Sequence, residues 1–346
     1  MILPPRWLLA FPLAVAAGLA LEWMRVPLPW LIGPMFACAI ANVSGAGFSM
    51  PAFVRQAGQS LVGVALGLYF TLYVLQQLAG FSGWIALSLL LSIPATLLAA
   101  LALRRIAGID LATAYYACTT GGAAEMANLA ERHGARTSIV ATAHTLRVVL
   151  VVTLLPFLFD ALDVHGHDIY RPVALAFDAA PFALLYGGCL LAGALLHRLR
   201  TPNAWLFGPL LVSAALTAAG RAPSSVPPVL VDLAQLLIGC SLGARFAPAT
   251  VRGLGRLGAG MLAAIALLLA ICALTGLLVH AGSGLPIATA LLATAPGGLA
   301  EMAVTAQVLD LGVPVVVAFH TTRLVFTVLS AGVVYEALRR LVRRRA

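Results

Sequence analysis

Residues 84–103 read WIALSLLLSIPATLLAALAL, twenty positions without a charge and without alternation of apolar and polar side chains. Residues 261–279 read MLAAIALLLAICALTGLLV and have the same character. A helix needs roughly 20 apolar residues to cross the hydrocarbon core of a bilayer. A barrel strand would be about half as long and would alternate. In lipid a helix satisfies its own backbone groups, so continuous apolar runs predict an all-α polytopic membrane protein.

The rest of the chain agrees. It is 62% hydrophobic and only 10% charged, with a mean hydropathy of +1.01 over 346 residues. That leaves too little polar surface to cover a water-soluble globule. The net charge of +9 comes from 21 basic residues, every one an Arg. Most sit in short connections between apolar runs, where positive charge orients membrane helices, so no nucleic acid is expected as a partner. Cys38, Cys118, Cys189, Cys240 and Cys272 stand singly in apolar segments, as small apolar residues without a CxxC pair. Arg6 ahead of Leu8–Leu21 imitates a signal peptide, but the comparable segment 174–196 in the second half favours a retained first span.

That comparability is an internal duplication. At a spacing of 176, Gly121-Gly122 matches Gly297-Gly298, Ala124-Glu125-Met126-Ala127 matches Ala300-Glu301-Met302-Ala303, and His144-Thr145 and Arg147 match His320-Thr321 and Arg323. Gln59, Gly63, Gly67 and Phe70 match Gln235, Gly239, Gly243 and Phe246. One residue less aligns Trp30, Gly33 and Pro34 with Trp205, Gly208 and Pro209. Apolar segments align easily by chance; Glu, His and Arg inside them do not.

Six apolar stretches fall in each half, near 7–24, 27–46, 56–75, 82–103, 109–130 and 137–159, then 174–197, 202–220, 231–247, 256–280, 285–307 and 314–338. If all crossed the membrane, the acidic loop with Asp160, Asp163 and Asp168 would share a side with the Arg-rich tail (Arg339, Arg340, Arg343, Arg344, Arg345). Letting 109–130 and 285–307 enter and leave on one face places nearly all Arg on the cytoplasmic side, with Arg25, Arg171 and Arg221 dissenting. Each half then has about five spans plus one re-entrant or broken segment, and an odd number of spans inverts the second copy. The expected organisation is repeat 1 over 1–160, an external connecting loop over 161–173, and repeat 2 over 174–346, with both termini cytoplasmic in a bacterial inner membrane. Inverted repeats place a site near the midplane, where matching broken segments meet.

The Gly pairs mark those segments. Gly121-Gly122 and Gly297-Gly298, the latter behind Pro296, interrupt helix, and non-helical backbone survives at membrane depth only inside protein or beside water. The half-helix after each pair would offer free N–H groups to an anion. Close helix packing is the plainer explanation of a Gly pair; its double occurrence favours the re-entrant tip.

Arg147 and Arg323 lie in the middle of long apolar spans, each three residues after a His (His144, His320) and so on the same helix face. A charge there costs at least about 2.5–3.5 kcal/mol and needs a partner. Glu125 and Glu301 are the natural candidates. The four charges could close as a structural ion-pair cluster, or Arg could hold an anionic substrate while Glu or His exchanges a proton. Gln59 and Gln235 could line the same cavity or simply bond between helices. His165 and His167 beside Asp163 and Asp168 read as solvated loop residues, and no metal site or cofactor is expected. No Walker loop, GxGxxG, GxSxG or HExxH is present, so neither ATP-driven transport nor hydrolysis is indicated.

The blocks GGAAEMA and PGGLAEMA, each followed by His-Thr-x-Arg, resemble the AbrB-type duplicated bacterial membrane protein family over nearly the whole chain. Members carry the labels ammonia monooxygenase or regulator; the small soluble DNA-binding protein of the same name is unrelated. More distantly, Gly-Gly re-entrant loops in duplicated halves are similar to those of inverted-repeat glutamate and citrate transporters, an analogy that implies a fold and a transport class. The expected function is therefore secondary transport of a small, anionic solute coupled to H⁺ or Na⁺, without enzymatic activity. Beyond the bilayer and the solute, a second copy of the chain is a possible partner. A membrane-embedded sensor or regulator acting through a partner protein is the alternative. A copper monooxygenase ranks last, because His144 and His320 lack the clustered spacing copper needs.

Overall fold

In a computed structural model, residues 6–161, 170, 172–173, 175–246 and 255–343 are described, and these form fifteen α-helices and no strand. The first half contains α1 (Ala10–Trp23), α2 (Pro29–Val43), α3 (Ala52–Gly67), α4 (Leu72–Gly80), α5 (Ser82–Ala107), α6 (Leu111–Cys118), α7 (Ala123–Arg132) and α8 (Thr137–Ala161). The second contains α9 (Ala179–Arg198), α10 (Ala204–Ala218), α11 (Pro228–Gly243), α12 (Gly255–Ser283), α13 (Ile287–Thr294), α14 (Leu299–Val308) and α15 (Val313–Arg343). The chain is an all-α, polytopic membrane protein.

The duplication reaches the backbone. α3, α6 and α7 recur as α11, α13 and α14 with both ends displaced by 176, and α2 recurs as α10 displaced by 175. Unusual backbone angles repeat too: Arg25 and Leu28 have φ of 56° and 51°, and their counterparts Arg200 and Asn203 have 56° and 49°. Non-glycine residues seldom adopt positive φ. Four of them at matched places mean that each half builds the same turn ahead of its second long apolar stretch. Most of the expected connecting loop, with Asp163, His165, His167 and Asp168, lies outside the described residues, as do Arg344 and Arg345.

Among the described residues, six helical segments are long and apolar enough to cross a membrane: Arg6–Trp23, Ser82–Ala107, Thr137–Phe159, Ala179–Arg198, Gly255–Ser283 and Val313–Leu341, three from each half. The other expected spans are shorter. α2, α3, α10 and α11 have 15 or 16 residues, so at 1.5 Å per residue each is about 23 Å long, under the roughly 30 Å of hydrocarbon. The expected single span at 56–75 is in fact α3 followed by a 90° bend into α4. Outward-facing leucines such as Leu184 and Leu191 on α9, 81% and 74% exposed, suit lipid rather than water.

The helices gather into two compact units that cut across the two halves: Met1–Gly80, Val152–Val251 and Ala300–Pro314 form one, and Phe81–Val151, Arg252–Leu299 and Val315–Ala346 the other. Within the first, each half lends its helices to the other, α3 packing on α10 and α2 on α11. Glycine makes this possible. A Cβ on Gly63 would lie 2.5 Å from the Leu206 carbonyl oxygen, and one on its counterpart Gly239 would collide with the carbonyl of Leu31, itself the counterpart of Leu206. Ser213 Oγ adds a bond to Val64 O at 2.9 Å across the α3–α10 seam. Small residues let backbones touch where water cannot drive helices together.

In the second unit α5 packs on α12, α6 on α5, and α13 on α12. Its core runs through Tyr115, Tyr116, Met126, Met261, Leu268 and Tyr335.

Candidate functional site

Each half breaks a helix inside the second unit. α6 starts cleanly, with Asp110 Oδ1 accepting from Thr113 N at 2.8 Å. It ends at Thr119, whose φ and ψ of −61° and 132° are extended. α13 ends at Ala295, −55° and 143°, the residue before Pro296. A proline pushes its predecessor out of the helical region and supplies no N–H, so the second break is written locally. In the first, Thr120-Gly121-Gly122 separate α6 from α7, and the glycines leave room for neighbouring side chains. A Cβ at Gly121 would lie 2.8 Å from Met126 Cε, and one at Gly122 would overlap the Glu125 carboxylate.

A helix that stops leaves its last carbonyls without partners. The His and Arg of each long helix take them. His144 Nε2 donates to Tyr116 O at 2.9 Å, and Arg147 Nη1 donates to Thr119 O at 3.0 Å. Arg147 Nη2 donates to His144 Nδ1 at 3.2 Å. At the matching places His320 Nε2 donates to Leu292 O at 3.0 Å. Arg323 donates to Ala295 O at 2.6 Å, Gly297 O at 2.8 Å and His320 Nδ1 at 2.9 Å. Because each Nδ1 accepts from a guanidinium, each imidazole is the neutral Nε2–H tautomer. Both nitrogens of both rings are then occupied, which leaves no lone pair for a metal and no vacant position for a travelling proton.

Arg147 and Arg323 are 3% and 9% exposed. Among the described residues neither forms an ion pair with a carboxylate. Of the two arrangements considered, the Glu–Arg cluster does not form among the described residues: helix ends, not carboxylates, meet the guanidinium groups. Glu301 pairs instead with Arg55, Oε1 to Nη2 at 3.3 Å, within the first unit. Glu125, in the second, is partly exposed and makes no ion pair among the described residues. Nothing near Arg55 in the chain announces a partner 246 positions away.

The two guanidinium groups lie within electrostatic range of each other and of Cys272. A helix C-terminus carries about half a negative charge, so each Arg is about half compensated. Nε of both Arg147 and Arg323 is buried without a partner. Beside Arg323 lies a cavity of about 20 Å³ whose lining includes Ser88, Ser92, Thr120, Cys272 and Thr294, room for one water molecule. Ser88 and Ser92 spend their protons on Ile85 O and Leu89 O, so they offer lone pairs there. A water accepting from a guanidinium and donating to hydroxyls suits these walls.

The remaining expected residues lie in the first unit. Gln59 Nε2 approaches Asn203 Oδ1 at 3.5 Å, and Gln235 Nε2 approaches Asp232 Oδ1 at 3.4 Å. Gln235 Oε1 is buried and unpaired. Gly121, Gly122, Glu125, His144, Arg147, Gly297, Gly298, His320 and Arg323 belong to the second unit, and Glu301, Gln59 and Gln235 to the first.

The paired breaks and their His–Arg clamps occupy the motifs on which a family resemblance rests. The family described as "Transition state regulatory protein AbrB" matches residues 4–339. This chain belongs to the AbrB family. Among curated proteins, the "Putative regulator AbrB" of Escherichia coli is 27% identical over 333 aligned residues, covering 94% of each chain. The "Uncharacterized protein YhjN" of Bacillus subtilis is 26% identical over 369 aligned residues, covering 98% of this chain and 94% of the relative. In this AbrB-family chain the clamps hold both breaks within one compact unit.

Proposed function

We propose that this protein is a secondary transporter of a small anionic solute, coupled to H⁺ or Na⁺, in the bacterial inner membrane. The observation that carries the reading is the pair of buried, half-compensated guanidinium groups, one from each long helix, α8 and α15, set against the end of a broken helix. Positive charge without a carboxylate partner is an affinity for anions, and deep in a bilayer such a charge persists only where it has use or company. Neutral, doubly bonded His144 and His320 are poor proton carriers. Glu125, partly exposed beside the first break, is the better candidate for coupling. The chain acts without a cofactor and without catalysis, both termini face the cytoplasm, and a second copy of the chain is its first candidate partner.

The regulator named in the Escherichia coli relative supports a second reading, in which the same unit senses a solute and signals through a partner protein. One experiment separates them. Purified protein in proteoliposomes is offered radiolabelled small carboxylates and inorganic anions under an imposed pH or Na⁺ gradient. The wild type is expected to accumulate at least one anion, and Arg147→Lys/Arg323→Lys, inserted in equal amount, to lose uptake, because an ammonium keeps the charge without the planar fork. No movement of any anion under either gradient overturns transport and leaves the sensor.

A further inference from the structure

A groove of about 530 Å³ runs between α7 and the C-terminal part of α15, lined by Leu129, His133, Val328, Leu329, Gly332, Val333, Glu336, Ala337 and Arg340. Its volume lies within the range of pockets that enclose a drug-sized ligand. Its two ends differ. One is apolar, with Leu329 and Val333 74% and 72% exposed. A notch opens in its wall at Gly332, where a Cβ would find nothing within 4 Å. The other end is charged. There Glu336 is already answered, by Arg339 Nη1 at 3.4 Å and His133 Nε2 at 3.5 Å. Arg340 makes no ion pair among the described residues, so the net character of that end is cationic.

The bilayer sets the scale. The groove follows α15 from Val328 to Arg340, about 18 Å at 1.5 Å per residue. That is close to one leaflet of a hydrocarbon core roughly 30 Å thick. The cationic end lies at the terminus of the candidate span Val313–Leu341, where headgroups begin. A groove about one leaflet long, apolar at one end and carrying at the other a guanidinium with no ion pair among the described residues, suits the shape and charge of an anionic phospholipid.

We propose that this groove is a binding site for an anionic phospholipid, its acyl chain lying over Gly332 between Leu329 and Val333 and its phosphate on Arg340. Phosphate recognition by Arg is charge-assisted and directional, which separates an occupied site from general surface attraction. The proposal rests on membrane residence alone and stands or falls independently of transport.

The full chain, purified in detergent, is titrated with phosphatidylglycerol or phosphatidylcholine of equal chain length, and bound lipid is counted by native mass spectrometry. The wild type is expected to prefer phosphatidylglycerol. Arg340→Gln is expected to lower that preference about fivefold, the contribution of one basic side chain at an anionic surface. Gly332→Leu, a substitution that raises helix propensity, is expected to reduce retention of both lipids by filling the notch. Equal binding of the two lipids by the wild type, or unchanged binding by both variants, overturns the site. If Gly332→Leu instead dissociates a dimer and leaves lipid binding intact, the groove is a contact between copies and the lipid proposal is wrong.

Discussion

Replacing His320 by Phe isolates the clamp at the second break, because the substitution keeps a buried planar ring and changes no net charge. Two bonds disappear: His320 Nε2 to Leu292 O at 3.0 Å and Arg323 Nη2 to His320 Nδ1 at 2.9 Å. Leu292 O keeps a weaker bond from Ala295 N at 3.3 Å, so the carbonyl is not wholly orphaned. The guanidinium N–H is. A hydrogen bond is worth a net 0.5–1.5 kcal/mol, and a stranded buried donor costs about 1–3 kcal/mol, so the variant should lose about 2–4 kcal/mol. His144→Phe removes the equivalent bonds, to Tyr116 O and from Arg147, and should cost a similar amount. His320→Gln carries a donor and an acceptor on one planar group and should recover at least half of the loss. The assay is unfolding by SDS titration in mixed micelles, followed by Trp fluorescence, with the wild type alongside. A His320→Phe variant within about 0.5 kcal/mol of wild type would mean that water already serves these atoms, and the clamp would have no structural weight.

The seam between the two halves gives a second expectation. Gly63→Ala must push the α3 backbone away from Leu206 O and should cost about 1–3 kcal/mol in the same titration, whereas Gly80→Ala, where a Cβ meets nothing within 4 Å, should be close to neutral. Orientation is tested by labelling single cysteines in whole cells: Asp163→Cys and Ser283→Cys should react with an impermeant maleimide from outside, and Arg105→Cys only after permeabilisation. Cytoplasmic labelling at both 163 and 283 would end the inverted arrangement.

Much of this architecture is legible in the chain because membrane burial penalises the wrong residue so heavily. A Glu, His or Arg inside an apolar run must have a structural or chemical reason, so His144, Arg147, His320 and Arg323 identify themselves. Their repetition at one spacing then places helix ends that apolar composition alone would leave vague. What the sequence conceals is whom they bond. Reading charges suggests carboxylates for arginines; here the acceptors are backbone carbonyls at Thr119, Ala295 and Gly297, and every residue has a carbonyl, so no side-chain letter announces one. The bend after Gly67 is equally silent, since Leu68-Tyr69-Phe70-Thr71 contains neither proline nor glycine. Nor does duplication say who packs with whom. Two similar halves could each fold alone, yet α2 and α3 of one rest on α11 and α10 of the other. That exchange explains why glycine recurs at 63 and 239. Each removes a side chain where its helix meets a carbonyl supplied by the opposite copy, so a duplicated chain can keep this core only while both copies keep their glycines.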